Sequence, residues 1–344
     1  MLFNFCVVFI LIIISSEIVT SFGRSQKKQT CKKYTPKMPN YDMYNIRVSE
    51  RKCQEYLWKM DEREQIKKHA CRRNYFVIRG ARTKPAEYPH MGALGWMTFD
   101  DSWIFLCGSS LISEKFVLTV AHCTKTKNVA VKHVHPKIVR LGVTDIYNSS
   151  NETPMDVEIK KIILHPRYDP PKKYYDVALL ELKTEVQFTK FIQPACLWSK
   201  PYNYPEKELT VTGWGAFDNA NKFSHKLLYA KLDLFHPKLC DNSVLNNRNW
   251  WGTSNQQLCA GKSDGSVDTC FGDSGGPLQF KLYETKKEGT MHMVMGITSF
   301  GSAKCAQKGI PAVYTNVATF INWIERHVWP QVRVRSSSRI IFRE

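Results

Sequence analysis

From residue 77 onward the chain is a succession of short apolar runs separated by turn residues, and this pattern constrains its fold most. The runs are GALGWMTF, IFLCGSSLI, FVLTVAHC, HPKIVRLGV, DVEIKKIIL, DVALLEL, LTVTGWG, LLYAKLDLF, MVMGITSF and AVYTNV. Many short runs with few stretches at helical spacing predict an all-β barrel or sandwich. Helical spacing is clear from about Val317 to Val328, and a charged helix is predicted from Ser49 to Lys68.

The N-terminus predicts secretion. An apolar run extends from Cys6 to Ile14, which is shorter than the roughly 20 residues that a membrane helix needs. Thr20 and Ser21 follow as small residues that suit a signal peptidase. We expect a signal peptide over residues 1–22, an extracellular product and no membrane span. An uncleaved signal anchor is the alternative.

The segments on either side of the strand-rich region are basic. Residues 23–76 contain RSQKKQ, CKK and IKKHACRR, the tail 331–344 contains VRVRSSSR, and the whole chain has a formal net charge of +18. This excess of positive charge favours an anionic partner, such as a heparin-like polysaccharide. Nucleic acid is not expected as the partner, because a secreted chain meets little of it. Solvated lysines without a partner are the alternative.

Ten cysteines remain once Cys6 leaves with the signal peptide. An even number in a secreted chain predicts disulfides. Because the chain has no CxxC spacing, a structural zinc site is not expected. We predict no metal and no cofactor.

The hexapeptide GDSGGP places Ser274 in a tight turn. A nucleophilic serine needs its hydroxyl projected into a cleft and backbone N–H groups aimed at the developing oxyanion. The glycines around Ser274 allow such a turn, whereas an ordinary glycine-rich turn is the less specific interpretation.

A serine hydroxyl needs a base, and the base needs a carboxylate to orient it. His122 ends an apolar run beside Cys123, and Asp176 directly precedes another such run. Asp169 is the competing acid, but it lies in a proline-rich loop. His133 and His135 are expected to be ordinary surface or core histidines.

The motifs VLTVAHC, DVALL, TGWG and DTCFGDSGGPL, in this order, resemble the trypsin/chymotrypsin family from Val77 to about Trp329. The resemblance implies two six-stranded antiparallel β-barrels with a C-terminal helix, in a peptidase domain over residues 77–330. It also implies that His122 is the general base, that Asp176 orients it and that Ser274 is the nucleophile, as in the family's own type case. The backbone N–H groups of Gly272 and Ser274 would form the oxyanion hole.

The same resemblance implies a zymogen. Val77-Ile78-Arg79-Gly80 is similar to the family's new N-terminus, whose ammonium pairs with the acid before the serine, here Asp273. The bond to be cut is Phe76–Val77, which suggests an upstream activating protease of chymotrypsin-like specificity. A chain without activation is the alternative.

The resemblance also assigns a substrate pocket. Asp268 would form its floor and select Arg or Lys by charge pairing. Ser299 and Gly301 would line it. Ala312 stands where trypsin-like members have glycine, so we expect a residual preference for basic residues.

The family implies disulfides Cys107–Cys123, Cys240–Cys259 and Cys270–Cys305. SERKCQEY resembles the linker of insect clip-domain proteases of the snake and easter type, which favours Cys53–Cys196 and leaves Cys31–Cys71. Cys31 and Cys71 are the alternative partners of Cys196. Residues 23–76 lack the cysteines of a complete clip domain.

Asn148 and Asn151 each begin a glycosylation sequence in a polar loop. We predict a secreted serine endopeptidase that cleaves proteins after Arg or Lys within an extracellular proteolytic cascade. Its expected partners are protein substrates, an activating protease, serpin-type inhibitors and a polyanion. A non-catalytic protease homologue is the alternative of a different class, although such homologues usually lack a triad residue.

Overall fold

The computed structural model describes ten stretches of the chain, which are residues 36–41, 46–69, 86–148, 154–201, 203–205, 208–215, 224–243, 248–262, 273–301 and 311–330. Their strands form two closed β-barrels, one after the other along the chain. Among the helices of these stretches, none is both long enough and apolar enough to cross a bilayer.

The first barrel closes in the order β1-β2-β3-β6-β5-β4, and all its neighbouring strands are antiparallel. Its strands are β1 Met91–Met97, β2 Trp103–Leu111, β3 Phe116–Thr119, β4 Ile138–Leu141, β5 Met155–Leu164 and β6 Ala178–Leu182. Closure leaves this sheet without a free edge. Leu94, Leu118, Leu141 and Leu180 are fully buried inside it.

The second barrel closes in the order β8-β9-β10-β13-β12-β11, since β11 pairs with both β12 and β8. Its strands are β8 Leu209–Gly213, β9 Leu228–Phe235, β10 Gln257–Gly261, β11 Pro277–Thr285, β12 Gly289–Phe300 and β13 Ala312–Asn316. A short strand, β7 Cys196–Leu197, joins β12 in parallel. The predicted pair of six-stranded barrels is confirmed, with β7 as an addition.

The described stretches also contain three α-helices: α1 Val48–His69, α2 Pro237–Ser243 and α3 Val317–Val328. Both helices that the sequence predicts are present, and α3 has the predicted bounds. Phe320, Ile321 and Ile324 of α3 bury one face against the first barrel. That face follows from their helical spacing.

Helix α1 packs against the second barrel, although it precedes both barrels in sequence. Cys53, Tyr56 and Met60 lie on one helical face and are buried against Met291 and its neighbours. The Cys53–Cys196 disulfide fixes the helix beside β7.

Candidate active site

The turn that carries Ser274 is held between the two barrels. The backbone N–H of Gly108 in β2 donates to the carbonyl of Ser274 at 2.8 Å, and Gly275 N–H donates to Thr298 O of β12 at 2.9 Å. Hydrogen bonds from both barrels therefore fix the backbone on each side of the serine.

Gly275 is required at its position by both conformation and space. Its φ is +84°, a region that side chains disfavour. A Cβ there would lie 2.3 Å from Gly108 O and 2.3 Å from Thr119 Oγ1. The second glycine of the motif, Gly276, is enclosed as well, because its Cβ would lie 2.6 Å from Thr212 O of the second barrel.

His122 and Asp176 form a tight pair, and the adjacent Cys123 lies next to the serine turn, with its Sγ 3.5 Å from Ser274 O. His122 lies in the short 3₁₀ helix Ala121–Thr124, which follows β3. Its Nδ1 lies 2.8 Å from Asp176 Oδ2. The backbone N–H of His122 donates to Asp176 Oδ1 at 2.9 Å. Both carboxylate oxygens thus accept from one residue, which fixes the orientation of the imidazole relative to the carboxylate.

The environment of Asp176 favours its ionised form. Its side chain is 3% exposed, and burial alone would raise the pKa of the carboxyl. The charge of His122 and hydrogen bonds from His122 and Ser299 outweigh burial and hold that pKa below its usual value. An ionised carboxylate can only accept hydrogen bonds, so the Nδ1 atom that faces it carries a proton; in the neutral imidazole this leaves Nε2 as the proton acceptor.

The residue before Asp176 has an unusual backbone conformation. Tyr175 has φ +56°, which is uncommon outside glycine, and its ring stacks on His165 at 5.2 Å. The competing acid, Asp169, has a side chain that is 66% exposed and pairs with Lys172. The structure therefore brings Asp176, and not Asp169, to the histidine.

The disulfide Cys107–Cys123 joins the strand that holds the serine turn to the segment that holds His122. The structure also contains Cys240–Cys259 and Cys53–Cys196. These are three of the five expected pairs. Cys270–Cys305 and Cys31–Cys71 lie outside the described residues.

Three residues assigned to the substrate pocket are described. Ser299 is buried, and its Oγ donates to Asp176 Oδ2 at 2.6 Å, a contact that the sequence does not predict. A Cβ built on Gly301 would lie 3.3 Å from the Cβ of Ala312, so the methyl group of Ala312 faces Gly301. The predicted pocket floor, Asp268, lies outside the described residues.

The carboxylate of Asp273 rests on the glycines of the TGWG motif. Gly215 N–H donates to Asp273 Oδ1 at 3.0 Å, and a Cβ on Gly213 would lie 2.0 Å from that oxygen. The other residues assigned to activation and the oxyanion hole, Phe76, Val77 and Gly272, lie outside the described residues.

Other predicted sites are on the surface of the first barrel. His133 is exposed, and His135 Nδ1 lies 2.7 Å from Thr124 O. Asn148 is exposed, whereas Asn151 lies outside the described residues. In the part of the chain that the structure describes, no cluster of three or more His, Cys, Asp or Glu side chains could hold a metal ion.

Some contributors to the site were missed by the sequence reasoning. Thr315 Oγ1 donates to the carbonyl of Asp176 at 2.8 Å, and Thr119 Oγ1 donates to Gly108 O at 2.9 Å. Threonine is common in strands, so neither residue carries a local signal. Their roles follow from the pairing of strands distant in sequence.

A histidine oriented by a buried carboxylate, beside a glycine-bounded serine and between two β-barrels, is the arrangement of the serine endopeptidase class. The family model described as Trypsin matches residues 77–324. The chain therefore belongs to the trypsin family of serine endopeptidases, and the resemblance drawn from its motifs is confirmed.

Several relatives are arthropod proteases. The chain is 34% identical over 297 residues to Serine protease snk of Drosophila melanogaster, covering 83% of this chain and 66% of that protein. It is 36% identical to Phenoloxidase-activating enzyme of Bombyx mori, covering 74% of this chain and 61% of that protein. The chain thus spans less than two thirds of the length of either relative.

Among solved structures, the chain is similar to neuropsin, a serine protease expressed in the limbic system of mouse brain. The TM-score is 0.56 at 27% identity, and the match covers 71% of this chain and 96% of neuropsin. The similarity therefore involves the two-barrel domain.

Proposed function

We propose that this chain is a serine endopeptidase in which Ser274 attacks the scissile carbonyl, His122 is the general base and Asp176 orients the histidine. The observation that carries the proposal is the pair of hydrogen bonds from His122 to a buried, ionised Asp176. His122 Nε2 takes the proton of Ser274 as the C–O bond of the tetrahedral intermediate forms. It then gives that proton to the leaving amine as the C–N bond breaks. In the second half, His122 takes a proton from a water molecule that attacks the acyl group, and returns it to Ser274 as the acyl C–O bond to the serine breaks.

A fluorophosphonate probe tests this assignment. After processing by chymotrypsin, the wild-type chain is expected to be labelled, and Ser274→Ala is expected to lose the label. Ser102→Ala, which removes an exposed hydroxyl of the first barrel, is the matched control and keeps the label. An unlabelled wild-type chain, or labelling that survives in Ser274→Ala, would identify a non-catalytic homologue instead.

We further propose that the chain is secreted as a zymogen and activated by a cut at Phe76–Val77. The fixed position of Asp273 on Gly215 N–H supports a carboxylate prepared to receive a new ammonium group. Phe76→Arg should transfer activation from chymotrypsin to trypsin, with Val77 as the new N-terminus. An uncut chain with the activity of the cut chain would contradict this part of the proposal.

The proposed specificity is cleavage after Arg or Lys. Asp268 supplies the charge, and the methyl group of Ala312 narrows the wall opposite Gly301. Ala312→Gly should increase kcat/KM for basic residues in a peptide panel, because it removes that methyl group. Equal or better cleavage of wild type after Phe or Leu would contradict the assignment.

Relatives that include a Phenoloxidase-activating enzyme and the Clotting factor G beta subunit of Tachypleus tridentatus support a role in an extracellular proteolytic cascade. In such a cascade the substrates are proteins, an upstream protease performs the activating cut, and serpin-type inhibitors end the activity.

A further inference from the structure

A second concavity lies outside the candidate active site, on the second barrel. It has a volume of about 620 Å³, which is in the range of ligand sites. It is bounded by the start of β8 and β9, by the β11–β12 turn and by the segment that precedes β1. Tyr88, Tyr229 and His292 supply its aromatic lining.

The aromatic lining is ordered by ring contacts. Tyr88 stacks on His292 with centroids 4.9 Å apart and an interplanar angle of 26°, and Tyr229 lies 6.0 Å from Tyr88. His292 is 3% exposed, and its Nδ1 has no hydrogen-bond partner among the described residues. His292 therefore packs behind the ring of Tyr88 and is not itself open to a ligand.

The charge of the lining favours an anion. Five lysines and three glutamates line the concavity. Two of the glutamates are already paired within it, Glu208 with Lys231 at 3.0 Å and Glu284 with Lys281 at 2.9 Å. Lys190 and Lys286 are exposed and take part in none of the ion pairs found among the described residues.

The lining also restricts the kind of anion. It contains no Leu, Ile, Val, Met or Phe side chain, although peptide partners usually anchor large side chains in apolar pockets. It offers instead flat aromatic faces and the hydroxyls of Thr210, Thr285 and Thr290. Flat rings suit the C–H faces of sugars, hydroxyls suit sugar hydroxyls, and ammonium groups suit sulfates.

We propose that this concavity binds a sulfated oligosaccharide. The sugar ring stacks on the exposed ring of Tyr229 beside Tyr88, whose ring is supported by the buried His292, and the sulfates bind Lys190 and Lys286. The net charge of +18 attracts polyanions to the whole molecule, and the concavity adds a defined site to that attraction. This binding does not depend on the proposed catalytic function.

The test is the affinity of the full, uncleaved chain for a heparin hexasaccharide, measured by calorimetry at physiological salt. Lys190→Gln/Lys286→Gln is expected to weaken binding about tenfold or more, because two charge-assisted contacts are lost. The matched control is Lys160→Gln/Lys183→Gln, which removes the same charge from exposed lysines of the first barrel and should change affinity little.

A second pair of variants separates a built site from general attraction. Tyr229→Ala, without any change of charge, should weaken binding several-fold, whereas Tyr229→Phe and the control Tyr147→Ala should retain it. Equal losses in both lysine pairs, with no effect of Tyr229→Ala, would overturn the proposal and assign heparin binding to overall charge. Binding of poly-glutamate as tightly as the hexasaccharide would overturn it in favour of an acidic peptide site.

Discussion

Ser299 Oγ donates a hydrogen bond to Oδ2 of Asp176 at 2.6 Å, and the same oxygen faces His122 Nδ1 at 2.8 Å. The carboxylate therefore receives an additional donor from β12 of the second barrel, while the histidine belongs to the first. This contact ties the geometry of the candidate triad to the packing of one barrel against the other.

Ser299→Ala should lower kcat about tenfold and change KM little, because Asp176 loses one charge-assisted hydrogen bond. Ser299 acts here as a positioning residue, so Ser299→Thr, which keeps a hydroxyl, should restore much of the rate. Steady-state kinetics on a peptide amide would measure both effects. A rise in KM with unchanged kcat would show that the hydroxyl contributes to substrate binding and not to the orientation of Asp176.

Gly275→Ala should abolish most of the activity. The added methyl group would lie 2.3 Å from Gly108 O, so the turn must move and take Ser274 with it. The matched control is Gly252→Ala, which also places alanine at a positive φ, +110°, but whose added Cβ would lie 3.6 Å from its nearest neighbour, Asp241 Oδ1. Peptidase assays should show a loss of about 100-fold or more for Gly275→Ala, which is the effect expected of a misplaced nucleophile. Gly252→Ala should keep near-normal activity.

Arg63→Ala should destabilise the protein by about 2 kcal/mol. Glu288 is fully buried and accepts from Arg63 Nε at 2.7 Å, with Lys67 as its other partner. Removal of one cation leaves a buried carboxylate short of a donor. Urea denaturation would measure the change in the free energy of unfolding.

Lys59→Ala provides the comparison for Arg63→Ala, because it removes another cation of α1. The side chains of its pair with Glu114 are 39% and 38% exposed, so we expect a change of about 0–1 kcal/mol. If the two substitutions changed the free energy of unfolding equally, the buried Glu288 would not be the main charged contact that holds α1 in place.

The buried histidines predict a dependence of stability on pH. Burial lowers the pKa of His90 to about 3. Burial also lowers the pKa of His292, and repulsion from a charged His90 lowers it further. The unfolded chain therefore binds protons at these positions below about pH 6.5, before the folded chain does. The contribution of the two histidines to the free energy of unfolding is fully present above that pH. It should fall, as the pH is lowered toward 3, by up to about 1.4 kcal/mol per pH unit for each histidine.

His292→Gln should reduce that slope, whereas His133→Gln, at an exposed position, should leave it unchanged. Thermal unfolding between pH 4 and pH 7 would compare the three proteins. A slope that is the same in wild type and His292→Gln would assign the acid sensitivity to other groups.

Local patterns predicted most of the architecture. The runs that form the strands and the spacing that defines α3 depend on neighbouring residues, so the sequence expresses them directly. The motifs around His122, Asp176 and Ser274 are also local. Their meeting was inferred from the family resemblance, and the His122–Asp176 contact is observed directly.

Contacts set by the pairing of distant segments could not be predicted in this way. Glu288 lies in the polar sequence TKKEG, which is typical of an exposed turn, yet it is fully buried because α1 covers it. The rings of His90 and His292 are 5.1 Å apart, although His90 directly precedes β1 of the first barrel and His292 lies in β12 of the second. Which side chains meet across such an interface depends on strand register and helix docking, and neither leaves a periodic signal in the sequence.

The most direct test of the account is a burst titration of the processed chain with the p-nitrophenyl ester of guanidinobenzoic acid, an arginine-like acyl donor. Acylation of Ser274 predicts a rapid release of one equivalent of nitrophenol per chain, followed by slow turnover. The burst should disappear in Ser274→Ala and in His122→Ala. A processed wild-type chain that gives no burst above the Ser274→Ala background would contradict the assignment of Ser274, His122 and Asp176 as a catalytic triad.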